Sequence, residues 1–447
     1  MTISVVQSTE GTRATSGRVV SATYGSPITG TALVAIVGRQ ATSGSIATIG
    51  QVTDGTNKWR QVNEASNLTT RGVDVWVCEN PTLGGTPTVT AQLNLFPTGT
   101  LSQMNIFIME LGGTTGYEIT DAFGVGAISG TTATISTNYA TTAAHEYLLS
   151  AVTTNASAAT VPSTWTSLLA DTTQDLWIAG LADSGTGLAV QNAAWTGLTG
   201  STSGCGVIVA FRQTGVSSSS PHLLQSSYYE PALTSTFSLT QTSQAYPINP
   251  ATSSVLVAFV TGAVYEPPGG GSASRGSIYA GVVQAVTDTA SGLWRKMGEA
   301  GLDNVGGGDW SYWYCGTPPG GATTLTARWD VPIQTPAVLL LELGGCSTTL
   351  VTDSQGAAVA QTIGSISTAG SVSASDIAFS TFGAIIARLF NPGSGWAVAM
   401  SDTNGVGFHQ LNVGTASGVL TATVGASSAG TDMLISAFRP SKRIALD

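Results

Sequence analysis

The chain has 447 residues and a formal net charge of −10, with 9% of its residues charged against about 25% in an ordinary soluble protein. Lys occurs only at Lys58, Lys296 and Lys442. There is thus no basic footprint for phosphates or anionic lipid, and neither a nucleic acid nor a membrane is expected as partner. With 42% hydrophobic residues and ten Trp, the composition is that of a folded chain kept soluble by hydroxyls rather than a disordered one.

Along the chain, the first residues carry no basic n-region and no long apolar stretch, so assembly in a cytoplasm is expected. Leu33 to Ile36 is a short apolar run, and Val52 to Arg60 is a turn leading to Trp59. Val73 to Cys78 and Thr86 to Leu93 alternate with period two, the mark of a half-buried strand. Met109 to Gly113 sets Glu110 among apolar residues, and Ile119 to Asp121 follows. Leu148 to Val152 and Val207 to Phe211 are apolar runs suited to inner strands, and Arg212 follows the second. Gly, Asn, Asp and Ser punctuate these blocks about every ten residues.

The blocks then return in the same order. Leu256 to Phe259 matches Leu33 to Ile36, Val286 to Arg295 matches Val52 to Arg60, and Tyr312 to Pro318 matches Val75 to Pro81. Leu341 to Gly345 matches Met109 to Gly113, Val351 to Asp353 matches Ile119 to Asp121, and Leu434 to Arg439 matches Val207 to Arg212. Trp396 and Asp402 stand where Trp177 and Asp183 stand. Repetition on this scale predicts a duplicated unit. The expected fold is all-β: two tandem β-sandwich domains, jelly-roll-like, over residues 1–214 and 228–447, joined by a Ser-rich linker at 215–227 and holding roughly ten strands each. The string running from Val-Thr-Asp and Trp, through an aromatic strand ending Asn-Pro and Glu-Leu-Gly-Gly, to a terminal Val-Ala-Phe-Arg resembles the duplicated jelly-roll, concanavalin A-like module of bacteriophage structural and minor tail proteins.

Catalytic signatures are missing: no Gly-x-Ser-x-Gly elbow and no phosphate loop occur. Cys78, Cys205, Cys315 and Cys346 show no metal-ligand spacing and read as small hydrophobes. His145-Glu146 lacks the second His of a zinc-protease helix, and His222 and His409 have no matched partner, so no metal or other cofactor is assigned. Asp54, Asp121, Asp288 and Asp353 each follow a Thr. Calcium ligation and an Asx turn are both open, and the lack of an Asp-x-Asp-x-Asp cluster favours the turn.

Glu110 and Glu342 do not make a hydrolase pair, because glycoside cleavage needs two carboxylates in one site; a solvent-facing or Arg-paired role, with Arg212 and Arg439 at hand, is expected. The matched Trp59, Trp76, Trp177, Trp294, Trp313 and Trp396 are expected in cores. The unmatched Trp165, Trp195 and Trp329 are the candidates for a surface, glycan-contacting role. The expected function is non-enzymatic: a virion structural protein, tail or particle-surface component, that binds other virion proteins as a homo-oligomer, a trimer being the natural ring. The alternatives are a carbohydrate-binding adhesin or receptor-binding protein contacting a host surface glycan, and a capsid decoration protein.

Overall fold

A computed structural model describes residues 2–346 apart from short stretches, the longest of them 230–237, 266–277 and 301–308, and beyond 346 the backbone of strands between 352 and 438. The described residues hold strands and no helix. They divide into two compact units: Met1–Ser217 with Ala399–Gly405, and Ser218–Val398 with Val406–Asp447.

The first unit begins with β1 (Ser4–Glu10), β2 (Val19–Thr23), β3 (Ala32–Ser43), β4 (Ile49–Thr53), β5 (Arg60–Ser66), β6 (Arg71–Glu79), β7 (Thr88–Leu93) and β8 (Thr100–Gly112). These form a large antiparallel sheet ordered β1-β8-β3-β6-β5 and a small one ordered β2-β7-β4. Their facing side chains, among them Val20, Leu33, Val52, Trp59, Trp76, Val89 and Ile106, make one core.

The rest of this unit comprises β9 (Thr120–Ile128), β10 (Ala133–Ser136), β11 (Tyr147–Thr154), β12 (Thr166–Asp171), β13 (Leu176–Leu181), β14 (Asn192–Trp195) and β15 (Gly204–Phe211). Its sheets run β9-β15-β11-β13-β12 and β10-β14. In both sandwiches the first strand lies beside the last, and the last beside the third. Residues 1–214, expected to be one sandwich, are therefore two.

The two sandwiches meet through the backs of their large sheets: β5 and β6 pack on β9, β15 and β11. This explains strands that are apolar on both faces. On β3 and β6, Leu33, Ala35, Trp76 and Cys78 enter the first core, while Val34, Ile36, Val73, Val75 and Val77 are buried on the opposite face. Polar residues along the seam are matched. Asn63 donates to the Gly124 carbonyl at 2.9 Å, Arg71 pairs with Asp175 at 2.8 Å, and Arg60 with Glu79 at 2.6 Å.

The second unit starts with β16 (His222–Tyr229), β17 (Ser238–Thr242), β18 (Val255–Tyr265), β19 (Ile278–Ala280), β20 (Val283–Asp288), β21 (Arg295–Ala300), β22 (Asp309–Cys315), β23 (Leu325–Ile333) and β24 (Thr335–Gly344). Its large sheet runs β16-β24-β18-β22-β21, with β19 paired to β18, and its small sheet runs β17-β23-β20. The chain continues with β25 (Thr352–Ala360), β26 (Ser365–Ser367), β27 (Ile377–Ala384), β28 (Trp396–Asn404, of which Ala399–Asn404 is grouped with the first unit), β29 (Gly407–Thr415), β30 (Thr421–Thr423) and β31 (Thr431–Phe438), ordered β25-β31-β27-β29-β28 and β26-β30. The strand order of the first unit thus occurs again in each part of the second, and β21 packs on β25 and β31 as β5 packs on β9 and β15.

The Ser-rich stretch at 215–227 is only partly a linker, since β16 begins at His222 and pairs with β24, burying Ser226 and Ser227. Pairing with an available sheet edge overrides the flexible composition. The match of Trp177 with Trp396 is not kept by strand order: Trp177 lies on β13, between β11 and β12, and Trp396 on the edge strand β28.

Candidate functional site

The matched tryptophans occupy cores where the structure describes them. Trp59, Trp76 and Trp177 are buried, Trp313 nearly so, and Trp294 is half-buried against its core; the side chain of Trp396 lies outside the described residues. The three unmatched tryptophans correct the surface expectation. Trp195 is 0% and Trp329 1% exposed, and Trp165 is 9% exposed. Trp195 and Trp329 sit on inward-facing positions of the small sheets, where a large apolar side chain fills the space against the large sheet. None of the three offers a ring face to a glycan.

The aspartates divide into two kinds. Asp54 Oδ1 accepts the Thr56 and Asn57 N–H groups at 2.9 and 2.7 Å, and Asp288 Oδ1 accepts those of Ala290 and Gly292, both at 2.9 Å. Asp288 also takes the Trp294 indole N–H at 2.7 Å. These are Asx turns, favoured because the carboxylate meets N–H groups that the turn leaves open. Asp121 and Asp353 are instead within strands, each at a bulge. The register of β9 on β15 skips from Thr120 to Ala122, and that of β25 on β31 skips from Thr352 to Ser354.

All three corners whose side chains are described use a carboxylate there to hold the loop that enters the third strand of the large sheet. In the first sandwich Glu110, fully buried, accepts the N–H groups of Thr29 (2.7 Å) and Gly30 and the amide of Gln7. Gly30 permits this approach, since a Cβ there would stand 2.7 Å from the Glu110 Cγ and 2.5 Å from the Leu111 carbonyl. In the third, Glu342 accepts the Ala251 N–H at 2.9 Å and the Gln225 amide at 2.6 Å. Both glutamates are therefore buried caps rather than solvent-facing, and Glu110 lacks the Arg partner that the sequence suggested. Burial without an Arg is tolerated because backbone and amide donors meet the charge. The register puts a bulge beside each, between Val5 and Gln7 and between Leu223 and Gln225.

In the second sandwich the capping carboxylate comes from the other strand. Asp121, its side chain 1% exposed, accepts the N–H and hydroxyl of Thr142 and, at 3.3 Å, the Ala143 N–H. Arg212 lies 3.6 Å from Asp121 and donates to the Glu118 carbonyl at 3.0 Å. Burial opposes the Asp121 charge, but Glu146, both Thr142 groups and Arg212 outweigh it and hold its carboxyl below the usual range.

Sequence reasoning weighed Glu146 only as half of an incomplete zinc-protease pair and gave it no role. His145 takes a left-handed φ of 62° and remains exposed, turning the chain so that Glu146 is fully buried against Asp121. Its polar neighbours are the Asp121 carboxylate, to which the protonated acid donates, the Ala143 N–H and the Thr141 hydroxyl. Burial first, then the neighbouring Asp121, pushes its carboxyl up to about 9. The usable signal was positional: Glu146 immediately precedes the apolar strand β11, as Asp376 precedes β27.

A second polar group missed from sequence lies in the first sandwich. Arg39 pairs with Glu64 at 2.6 Å and Asp74 at 2.7 Å, and Gln61 donates to Asp74 at 3.0 Å. All four are buried, on the strands β3, β5 and β6 of the large sheet. His222 is buried with Nδ1 2.6 Å from the Ser220 carbonyl, and the four cysteines are buried and in no disulfide; the side chains of Asp353 and His409, and the whole of Arg439, lie outside the described residues.

No protein-family model matches the chain, and no curated protein is found to be similar to it.

Proposed function

We propose that the chain is a non-enzymatic structural protein of a bacteriophage particle, built of tandem jelly-roll sandwiches, that binds other virion subunits. The observation that carries the reading is the use made of its carboxylates. Glu110, Glu342, Asp54 and Asp288 are each engaged by N–H donors within the fold. A general acid or nucleophile has to face a substrate, and these residues face their own loops. The recurrence of one strand order through both units supports a duplicated jelly-roll ancestry, in which the first and last strands are neighbours and the third lies beside the last. The likeness of the motifs to phage tail modules supports the location. On this reading the chain acts through rigid sandwiches, in a closed ring of identical copies such as a trimer, on the tail or the particle surface.

Mass spectrometry of purified particles of the phage encoding the chain tests the assignment, and its absence from them would overturn it. Incubation of the purified protein with host surface polysaccharide tests the chemistry. No reducing ends should be released; release that is lost in Glu110→Gln or Glu342→Gln would make the protein a hydrolase.

A further inference from the structure

We propose that the corner of the second sandwich is a proton-operated latch: the acid of Glu146 closes on the Asp121 carboxylate, and loss of its proton releases the loop that enters β11. In the first and third sandwiches the capping carboxylate receives a side-chain amide, Gln7 on Glu110 and Gln225 on Glu342. An amide donates at every pH. In the second sandwich the cap is Asp121, and its side-chain donor from across the corner is another acid, Glu146, which donates only while it holds its proton. The three corners share one bonding scheme, and this is the one of the three whose donor can be switched off.

Both carboxyls are out of water: Glu146 is fully buried, and the Asp121 side chain is 1% exposed. Two buried carboxyls in contact do not both ionise, since each would face the other's charge with no solvent to screen it. Asp121 takes the charge because its donors are fixed: the Thr142 N–H and hydroxyl and the Ala143 N–H, with the Arg212 guanidinium 3.6 Å away. The proton therefore stays on Glu146, whose carboxyl is pushed up to about 9, by burial first and by Asp121 second.

The other charged and titratable groups at this corner leave a second charge unmet. Arg212 is shared between Asp121 and the Glu118 carbonyl, so ionised Glu146 would have no cation of its own among the described residues. From the first sandwich, Arg60 reaches the Thr120 hydroxyl at 3.4 Å, but it is paired with Glu79, which accepts the Ile119 N–H at 2.8 Å. Tyr147 keeps its proton because burial pushes its phenol up, and His145 is exposed. Glu146 binds its proton more tightly folded than unfolded. Its contribution is complete below about pH 4.3, the unfolded value, and is lost as pH rises through about 9. The Thr141 N–H is bonded to the Ala189 carbonyl at 3.1 Å, so opening is expected over residues 142–146, between that bond and β11.

Hydrogen exchange of the full chain, divided by the intrinsic exchange rate at each pH, tests the latch. Between about pH 6 and 9 the protection of the Thr142 and Ala143 amides should fall roughly tenfold per pH unit, the slope for one proton released on opening. The Ala251 amide, bonded to Glu342 at 2.9 Å in a corner whose side-chain donor is Gln225, should keep constant protection. Glu146→Gln makes the donor permanent and should flatten the profile at Thr142 and Ala143 while leaving Ala251 unchanged. A wild-type profile that is flat at Thr142 and Ala143, or that falls in parallel at Ala251, would overturn the proposal, and this comparison needs no variant to fold. A slope that Glu146→Gln retains would overturn it equally, by assigning the proton to another group.

Discussion

Gln225 donates its side-chain amide to Glu342 at 2.6 Å, and Gln7 makes the same bond to Glu110. The two pairs are 117 and 103 residues apart in sequence, yet in each the Gln is directly opposite its Glu across the first and last strands of a large sheet. The bond ties the sheet corner to the loop entering the third strand, so the glutamate is expected to act on stability. Replacing Glu110 by Ala leaves buried N–H donors unmet at about 1–3 kcal/mol each, so a loss of roughly 3 kcal/mol in urea unfolding is expected. Glu342→Ala should behave alike. A loss below about 0.5 kcal/mol in both variants would show the capping bonds to be incidental.

The tryptophans separate by burial. Trp59 is 0% exposed in the first core, while Trp294, at the matching position, is half-buried and spends its indole N–H on Asp288. Trp59→Ala should cost about 3–5 kcal/mol, with Trp294→Ala distinctly less. Chemical denaturation of the two variants orders them, and an equal or reversed order would contradict the packing described for either site.

Residues 1–217 should fold alone, since they hold both sandwiches of the first unit and the seam between them. Residues 1–113 should not stay soluble. Without the second sandwich the face carrying Val34, Ile36, Val73, Val75 and Val77 would be bare, and an apolar patch of that kind drives association. Light scattering and thermal melts of the two fragments decide this; a soluble, monomeric 1–113 would mean that the seam contributes little.

Glu10, on the edge strand β1, meets Asp171 on the edge strand β12, and burial followed by that carboxyl raises Glu10 to about 7. A raised carboxyl binds more protons folded than unfolded. Its contribution is therefore complete below about pH 4.3, the unfolded value, and is lost as pH rises through about 7. The unfolding midpoint of fragment 1–217 should decline over this window, and Glu10→Gln should flatten the decline. An identical pH profile in the variant would remove Glu10 as its source.

What was legible in the sequence follows from local rules. Period-two alternation at Val73 to Cys78 and Thr86 to Leu93 marked strands that the structure contains as β6 and β7, but only β7 is half-buried as expected, β6 being covered on both faces. The Thr-Asp steps at Asp54 and Asp288 marked Asx turns, because a carboxylate two to four residues before open N–H groups reaches them without help from the rest of the chain. Matched blocks landed on corresponding strands, Leu33 on β3 and Leu256 on β18, Glu110 on β8 and Glu342 on β24. Trp195 and Trp329 were misread because lack of a counterpart says nothing about which face of a strand a residue takes.

The division of each half into two sandwiches was decided only in three dimensions. An unbroken apolar run such as Leu33 to Val37 states that both faces of a strand are covered, but the pattern is the same whatever covers them. In this protein one face meets the small sheet of its own sandwich and the other meets a second large sheet. The pairing of Asp121 with Glu146 depends on the same kind of information. A bulge in β9 and a left-handed turn at His145 bring together two carboxyls 25 positions apart, and the energy of such a contact depends on burial, which no local pattern encodes.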